Sequence, residues 1–352
     1  MNTKISQSID FIKVPLTIFV VLLHSYTAIS INDSLYYTLA YPILIVGEIG
    51  VPAFLFISGY LFFTKMSPYW DWKQYKQKMD NRLSSLLRPY LIWNSIMILF
   101  YFALGSIPFF SNYLSGANKP VSEYGISDFL LAYWDKGETV NGTPILQPYW
   151  YVRNLIILCL FSPIIYFLTK RLGILFLIAT GLWWMLTNHN AFTQASIFFF
   201  SFGAFCQIKH IDFIQLGEAI NSKTIYTIAI ILFATDYLTH THFHVNGALQ
   251  IHRINLIFSI FALFTLAASL AYKHKIPDIF NHSAFFVYTI HFPIILAIRK
   301  VLYKLCSNPN GIVQFLILIL AFVMTYALCL IIYKAWKTMS PQSLNFMMGG
   351  RT

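Results

Sequence analysis

Apolar stretches long enough to cross a membrane recur from one end of this chain to the other, and they restrict it to a bundle of membrane-spanning helices. Ten candidate spans are read, at 11–31, 41–63, 89–110, 149–169, 172–188, 194–208, 224–240, 254–272, 283–300 and 312–333. They are continuous apolar runs, whereas the strands of a membrane barrel alternate apolar and polar residues. Composition agrees. Hydrophobic residues make up 57% of the chain, charged residues only 11%, and mean hydropathy is +0.63; soluble domains carry about a quarter charged residues. The first segment holds Lys13 and His24 and lacks a clear small-residue cleavage site before Asn32-Asp33-Ser34, so it reads as a span and not a cleaved signal. The expectation is an all-α integral membrane protein with about ten transmembrane helices. A single polytopic domain covers residues 1–340, and a short tail covers 341–352.

The net charge of +11 raises nucleic acid as a partner. The basic residues, however, cluster in short connections between spans, where topology and anionic lipid explain them better. No nucleic-acid partner is expected. If the N-terminus is cytoplasmic, sixteen of the twenty-four lysines and arginines fall on the inner side and six on the outer side (Lys119, Lys136, Arg253, Arg299, Lys300 and Lys304). The positive-inside rule then puts both termini in the cytoplasm, which an even number of spans requires. Cys159, Cys206, Cys306 and Cys329 show no CxxC spacing and read as small buried hydrophobes; neither a metal site nor a disulfide frame is implied.

Two connections are long. Lys65–Arg88 has six basic and two acidic residues interleaved with Tyr69, Trp70, Trp72 and Tyr75, a pattern for an interfacial helix. Ser111–Tyr149 carries Glu123, Asp128, Asp135 and Glu138 among Tyr113, Tyr124, Tyr133 and Trp134. Acids and aromatics there suit a hydroxyl-rich ligand such as a sugar; a solvated loop anchored by interfacial aromatics is the other reading.

The chemistry is sought among ionisable groups inside the spans, because such groups are costly in a membrane. Lys13 and His24 are eleven residues apart, close to three helical turns, so they share a face about 16 Å apart along the axis, with Asp10 one turn before the lysine. A neutral imidazole among Val20, Val21, Leu22 and Leu23 can take a proton from an attacking hydroxyl; a packing histidine bonded to another helix is the alternative. Lys13 either faces a phosphorylated ligand from the cytoplasm or snorkels and pairs with Asp10. Arg82 and Arg88 flank the start of the third span, placed for bidentate phosphate contacts or for ordinary anchoring. Trp150 and Arg153 open the fourth span; the arginine either pairs with Glu48 or another acid, or orients an acceptor. Ser58, in the Gly- and Pro-containing second span, and Tyr288 and His291, before Pro293, complete the set of candidate substrate contacts. The alternating His240, His242 and His244 read as an interfacial loop ahead of a metal site.

These landmarks in their order resemble the membrane acyltransferase-3 family over nearly the whole chain. The resemblance rests on Lys13, ten residues, then His24; on Phe56-Ile57-Ser58-Gly59-Tyr60-Leu61; on Arg82…Arg88-Pro89-Tyr90; on Trp150–Arg153; and on Tyr288-Thr289-Ile290-His291-Phe292-Pro293. It departs in having lysine at position 13, where arginine is common, and in the six-residue spacing of Arg82 and Arg88.

The resemblance implies a multi-pass inner-membrane enzyme. It would carry an acyl group, often acetyl, from cytoplasmic acyl-coenzyme A to a hydroxyl of a surface polysaccharide, lipid-linked sugar or glycolipid. His24 is then the essential histidine and general base, with Asp10 beside Lys13 as its aligned acid; Lys13, Arg82 and Arg88 meet the donor, and Ser58, Trp150, Arg153, Tyr288 and His291 the acceptor. No permanently bound cofactor is expected; acetyl-coenzyme A or another acyl-coenzyme A is a co-substrate. Membrane lipids are partners, and self-association or glycan-assembly partners stay open. The competing reading is a transporter of a polysaccharide or lipid-linked sugar, with Asp10, Lys13 and His24 as a polar path.

Overall fold

The computed structural model describes residues 3–26, 34–66, 69–107, 119–136, 142–188, 191–215, 220–243 and 245–351. All regular structure among them is helical. In chain order the helices are α1 (Thr3–Ser25), α2 (Ser34–Glu48), α3 (Gly50–Phe63), α4 (Trp72–Arg82), α5 (Arg88–Gly105), α6 (Ile126–Ala132), α7 (Trp150–Leu160) and α8 (Ser162–Leu172). They continue with α9 (Ile174–Leu186), α10 (Phe192–Ile208), α11 (Ser222–Leu238), α12 (Ala248–Ala271), α13 (Asp278–Leu305), α14 (Gly311–Met339) and α15 (Pro341–Met347).

Among the described residues, six helical segments are long and apolar enough to cross a membrane, or seven if the bent pair Gln147–Leu160 and Ser162–Leu172 is one span. The described residues of the expected spans are mostly helical, yet several of these helices are short, and residues 27–31 and 108–110 of the first and third lie outside the described residues. Helix α9 has 13 residues, about 20 Å of rise against a hydrocarbon core of about 30 Å. The expected span 149–169 is broken at Phe161, because Pro163 lacks the N–H that would continue the ladder. Helix α1 begins at Thr3 and not near Phe11, so His24 lies in its last turn and not just past the middle of a span.

The chain divides into two compact units, Met1–Trp72 with Phe161–Tyr333, and Lys73–Leu160 with Lys334–Thr352. In the first, α1 is the central element. Its buried residues Ile5, Ile9, Ile12, Leu16 and Val20 recur at spacings of three to four, a single apolar stripe. Around it pack α2, α3, α12 and α13. Ser8 and Thr17 satisfy their hydroxyls within the helix, on the carbonyls of Lys4 and Lys13.

The closest crossing in this unit joins α3 to α10. A Cβ on Gly59 would stand 2.0 Å from the Phe200 carbonyl oxygen, and one on Gly203 would stand 1.9 Å from that of Phe56. Only glycine permits this approach of two backbones, the same logic that puts small residues at membrane helix interfaces. Phe56 fills the space beside the crossing, edge-on to Phe202 and Phe213.

In the second unit, α4 is the expected polar, aromatic helix of the Lys65–Arg88 stretch. It passes through a π-helical turn, Leu83–Leu87, into α5. Helix α15 and the glycines after it lie against this turn: a Cβ on Gly349 would meet the Ser84 carbonyl at 2.8 Å, and Leu344 and Met348 are fully buried.

Candidate functional site

The end of α1 and the middle of α13 bring two imidazoles together. The rings of His24 and His291 have centroids 5.2 Å apart, and the His24 ring stands edge-on to Phe292 at the same distance. His291 is fully buried. Its Nδ1 lies 2.7 Å from the Tyr288 carbonyl and 3.1 Å from that of Val287. A carbonyl only accepts, so Nδ1 carries the proton and donates, which leaves Nε2 with a lone pair. Nε2 is buried and meets no hydrogen-bond partner among the described residues. Buried polar atoms are seldom left so, and those that are call for a functional explanation. Tyr288 packs behind, its ring 6.2 Å from that of His291.

Arg299 completes the constellation. It stands eight residues beyond His291, slightly more than two turns, and so lies on the same side of α13. Its Nη1 donates to the carbonyls of His24 (3.1 Å) and Tyr26 (3.3 Å), satisfying acceptors that the end of a helix leaves open. Counting Arg299 among loop charges hides it; its register with His291 is the signal that finds it.

Lys13 and Asp10 lie near the middle of α1, about three and four turns before His24. They form an ion pair at 2.5 Å, with side chains 42% and 63% exposed. Asp10 is fourteen residues from His24, about 21 Å along the axis, so the structure does not bring this carboxylate to the imidazole. Ser58 is half-buried on α3, next to the Gly59 crossing.

The remaining predicted residues belong to the second unit. Arg82 ends α4 and Arg88 begins α5, on either side of the π turn; the Arg88 guanidinium lies over the Phe346 ring, 4.8 Å from its centroid. Trp150 opens α7. Among the described residues Arg153 pairs with no acid. It donates to the carbonyls of Trp134 and Gly142, the latter at 2.8 Å, and to the Asn154 side chain, while its guanidinium stacks on Trp134. Short-range carbonyls supply what a carboxylate was expected to supply, and Arg153 thereby ties down the connection before α7.

The acids of that connection are also engaged locally. Asp128 is bonded by Lys119 and Lys136, each at 2.8 Å, and by the Gly125 N–H; Asp135 accepts from the Gly142 N–H. Tyr113 and Glu138 lie outside the described residues. The two lysines hold the Asp128 carboxyl well below the usual carboxylate range. The folded form therefore favours the ionised acid, and its contribution is complete above the unfolded aspartate value, about 4, and is lost as pH falls below it. Hydrogen-exchange protection of residues 125–136 should stay level between pH 8 and 5 and decline on further acidification. Asp128→Asn should show low protection throughout.

A buried polar cluster that the sequence reading missed lies in the first unit. His252 on α12 has Nε2 2.5 Å from Glu48 Oε2 and Nδ1 2.7 Å from Asp236 Oδ2. Asp236 is fully buried and also accepts from Asn255 Nδ2 at 2.9 Å. His240 bonds the same aspartate at 3.0 Å and stacks on Tyr41; His242 is bonded to Thr241, and His244 lies outside the described residues. A lone Asp236 in the apolar run of α11, together with His252 and Asn255 three residues apart, is the trace this cluster leaves in the sequence.

Long apolar helices enclosing an orphaned imidazole nitrogen define a polytopic membrane protein with a buried polar pair between its helices. The chain belongs to the acyltransferase-3 family: the family model, described as an acyltransferase domain, matches residues 6–334. It is similar to the succinoglycan biosynthesis protein ExoH of Rhizobium meliloti (strain 1021), with 24% identity over 313 residues, 87% of this chain and 80% of that protein. No solved structure matches it.

Proposed function

We propose that this protein is an acyl-coenzyme A-dependent O-acyltransferase of the inner membrane. It modifies a hydroxyl of a surface polysaccharide, lipid-linked sugar or glycolipid, and acetyl is the group we assign to it. Family membership supports acyl transfer, and the name of the Rhizobium relative, a succinoglycan biosynthesis protein, supports a glycan acceptor. The observation that carries the reading is the His24–His291 pair, two adjacent imidazoles of which His291, on α13, has a buried nitrogen with no partner among the described residues.

A ring nitrogen of His24 takes the proton of the acceptor hydroxyl as its oxygen attacks the thioester carbon. The new C–O bond replaces the C–S bond, and the departing thiolate of coenzyme A recovers the proton. General-base assistance of this kind supplies about 10²–10⁴ in rate. His291, with Nδ1–H committed to backbone carbonyls, offers Nε2 to accept a hydrogen bond and so helps to place the hydroxyl. Tyr288 supports its ring. Arg299 holds the α1 terminus against α13. For the donor, Lys13 is the candidate phosphate contact of the first unit, and Arg82 and Arg88 are those of the second. With the N-terminus cytoplasmic, Lys13 lies on the donor's side of His24 along α1, and His24 nearer the acceptor's.

Mass spectrometry of surface glycans from cells with and without the protein tests the reading. Glycans from producing cells should be heavier by one acyl group per modified site. Identical glycan masses would overturn it.

A further inference from the structure

We propose that Glu48 is the ligand-facing end of a buried Asp236–His252–Glu48 relay and binds neighbouring hydroxyls of the carbohydrate acceptor beside His24. This rests on the reading above and deepens it by assigning an acceptor contact to a residue outside the His24–His291 pair.

The relay runs from sealed to open. Asp236 is fully buried, the His252 side chain is 9% exposed, and that of Glu48 is 38% exposed. Each ring nitrogen of His252 lies within 2.7 Å of a carboxylate oxygen. Each such contact needs a proton, so the ring bears one on both nitrogens and the triplet keeps one net negative charge. Asp236 is fixed by Asn255 and His240 as well. It orients the imidazolium, which in turn fixes Glu48 Oε2. The scaffold holds the Glu48 carboxylate in one place. Holding polar groups rigidly in this way is how binding sites lower the cost of ordering themselves around a ligand.

Its position is set by the packing of α2 and α3 on α1. Gly47 lies against Leu23, where a Cβ would stand 2.9 Å from the Leu23 Cβ, and Gly50 lies against Val20 and Leu16. Glu48, between these two glycines, therefore sits at the level of the last turn of α1, which carries His24. Tyr26, Tyr41 and Arg253 lie within its electrostatic reach. A fixed carboxylate that accepts from vicinal hydroxyls is the chemistry that recognises a carbohydrate. At the same level of α1, His24 keeps its imidazole for the one hydroxyl that reacts.

The test uses the full chain in lipid nanodiscs, with acetyl-coenzyme A as donor. The acceptor is the lipid-linked oligosaccharide fraction extracted from cells lacking the protein. Wild-type protein that transfers no acetyl group to this fraction would overturn the acyltransferase reading and the present one with it. Given wild-type transfer, Glu48→Gln should raise the half-saturating amount of the fraction by roughly tenfold or more, the scale of one lost charge-assisted hydrogen bond. The maximal rate and the half-saturating acetyl-coenzyme A should stay near wild-type. His252→Gln should move the same constant in the same direction. An unchanged acceptor constant, or a lowered maximal rate with that constant unchanged, would overturn the proposal while leaving the enzyme reading intact. A readout on the unmutated protein guards against misfolding of the variants. A saturating amount of the fraction should shield Glu48 from carbodiimide-driven amide labelling, read by peptide mass spectrometry, and labelling at the unshielded rate would overturn the proposal.

Discussion

His24→Ala should lower acyl transfer by at least about 100-fold, the lower end of what a positioned general base contributes, while the protein remains folded. The second half of this expectation comes from the geometry. Among the described residues the His24 ring touches His291 and Phe292 through ring faces and edges only. Truncating it strands no donor or acceptor that was relying on it, so the large penalty of an unsatisfied buried group does not arise. Arg299 holds the backbone carbonyl of residue 24 and not its side chain, so this tie survives the substitution. The measurement is acetyl transfer from acetyl-coenzyme A at matched amounts of monodisperse protein. Transfer at the wild-type rate would remove His24 from the chemistry.

A single methyl group at the α3–α10 crossing should do more harm to the fold than any substitution at the reaction centre. In Gly203→Ala the new carbon would stand 1.9 Å from the Phe56 carbonyl oxygen and 2.7 Å from the Tyr60 nitrogen; in Gly59→Ala it would stand 2.0 Å from the Phe200 oxygen. All are main-chain atoms, so no rotamer relieves the clash and the helices must separate along the whole interface. Overpacking ordinarily costs about 1–3 kcal/mol, and a clash with backbone at this distance lies at or beyond the top of that range. Both variants should lose most of their monodisperse peak in fluorescence-detected size-exclusion chromatography. Gly105→Ala, with nothing within 4 Å of the added carbon, should keep it. The double variant should be scarcely worse than either single one, because both force the same separation.

The helical, membrane-embedded class was legible because apolar run length registers directly in sequence. The paired histidines were legible individually, since an imidazole inside such a run is unusual. Helix ends were less so. The break at Phe161 depends on Pro163, which an apolar window averages away, and α1 starts at Thr3 because a polar first turn does not prevent helix formation. Arg153 illustrates a further limit. Its charge suggested an acid, but its partners are the carbonyls of Trp134 and Gly142, and backbone acceptors leave no mark on residue identity. The Asp236–His252–Glu48 cluster was hidden for the same reason in a stronger form. Glu48 and His252 are 204 residues apart in the chain, and no local period connects them; only the packing of α2, α11 and α12 does.

Arg299 ties the terminus of α1 to the helix that carries His291. The two imidazoles consequently share one mechanical frame. Their spacing is set when the bundle assembles and need not be re-established at each turnover. Whatever breathing admits a ligand and releases it must be taken up by other elements. The paired rings act as the fixed point about which that traffic moves, a preorganised centre whose reorganisation has been completed before any ligand arrives.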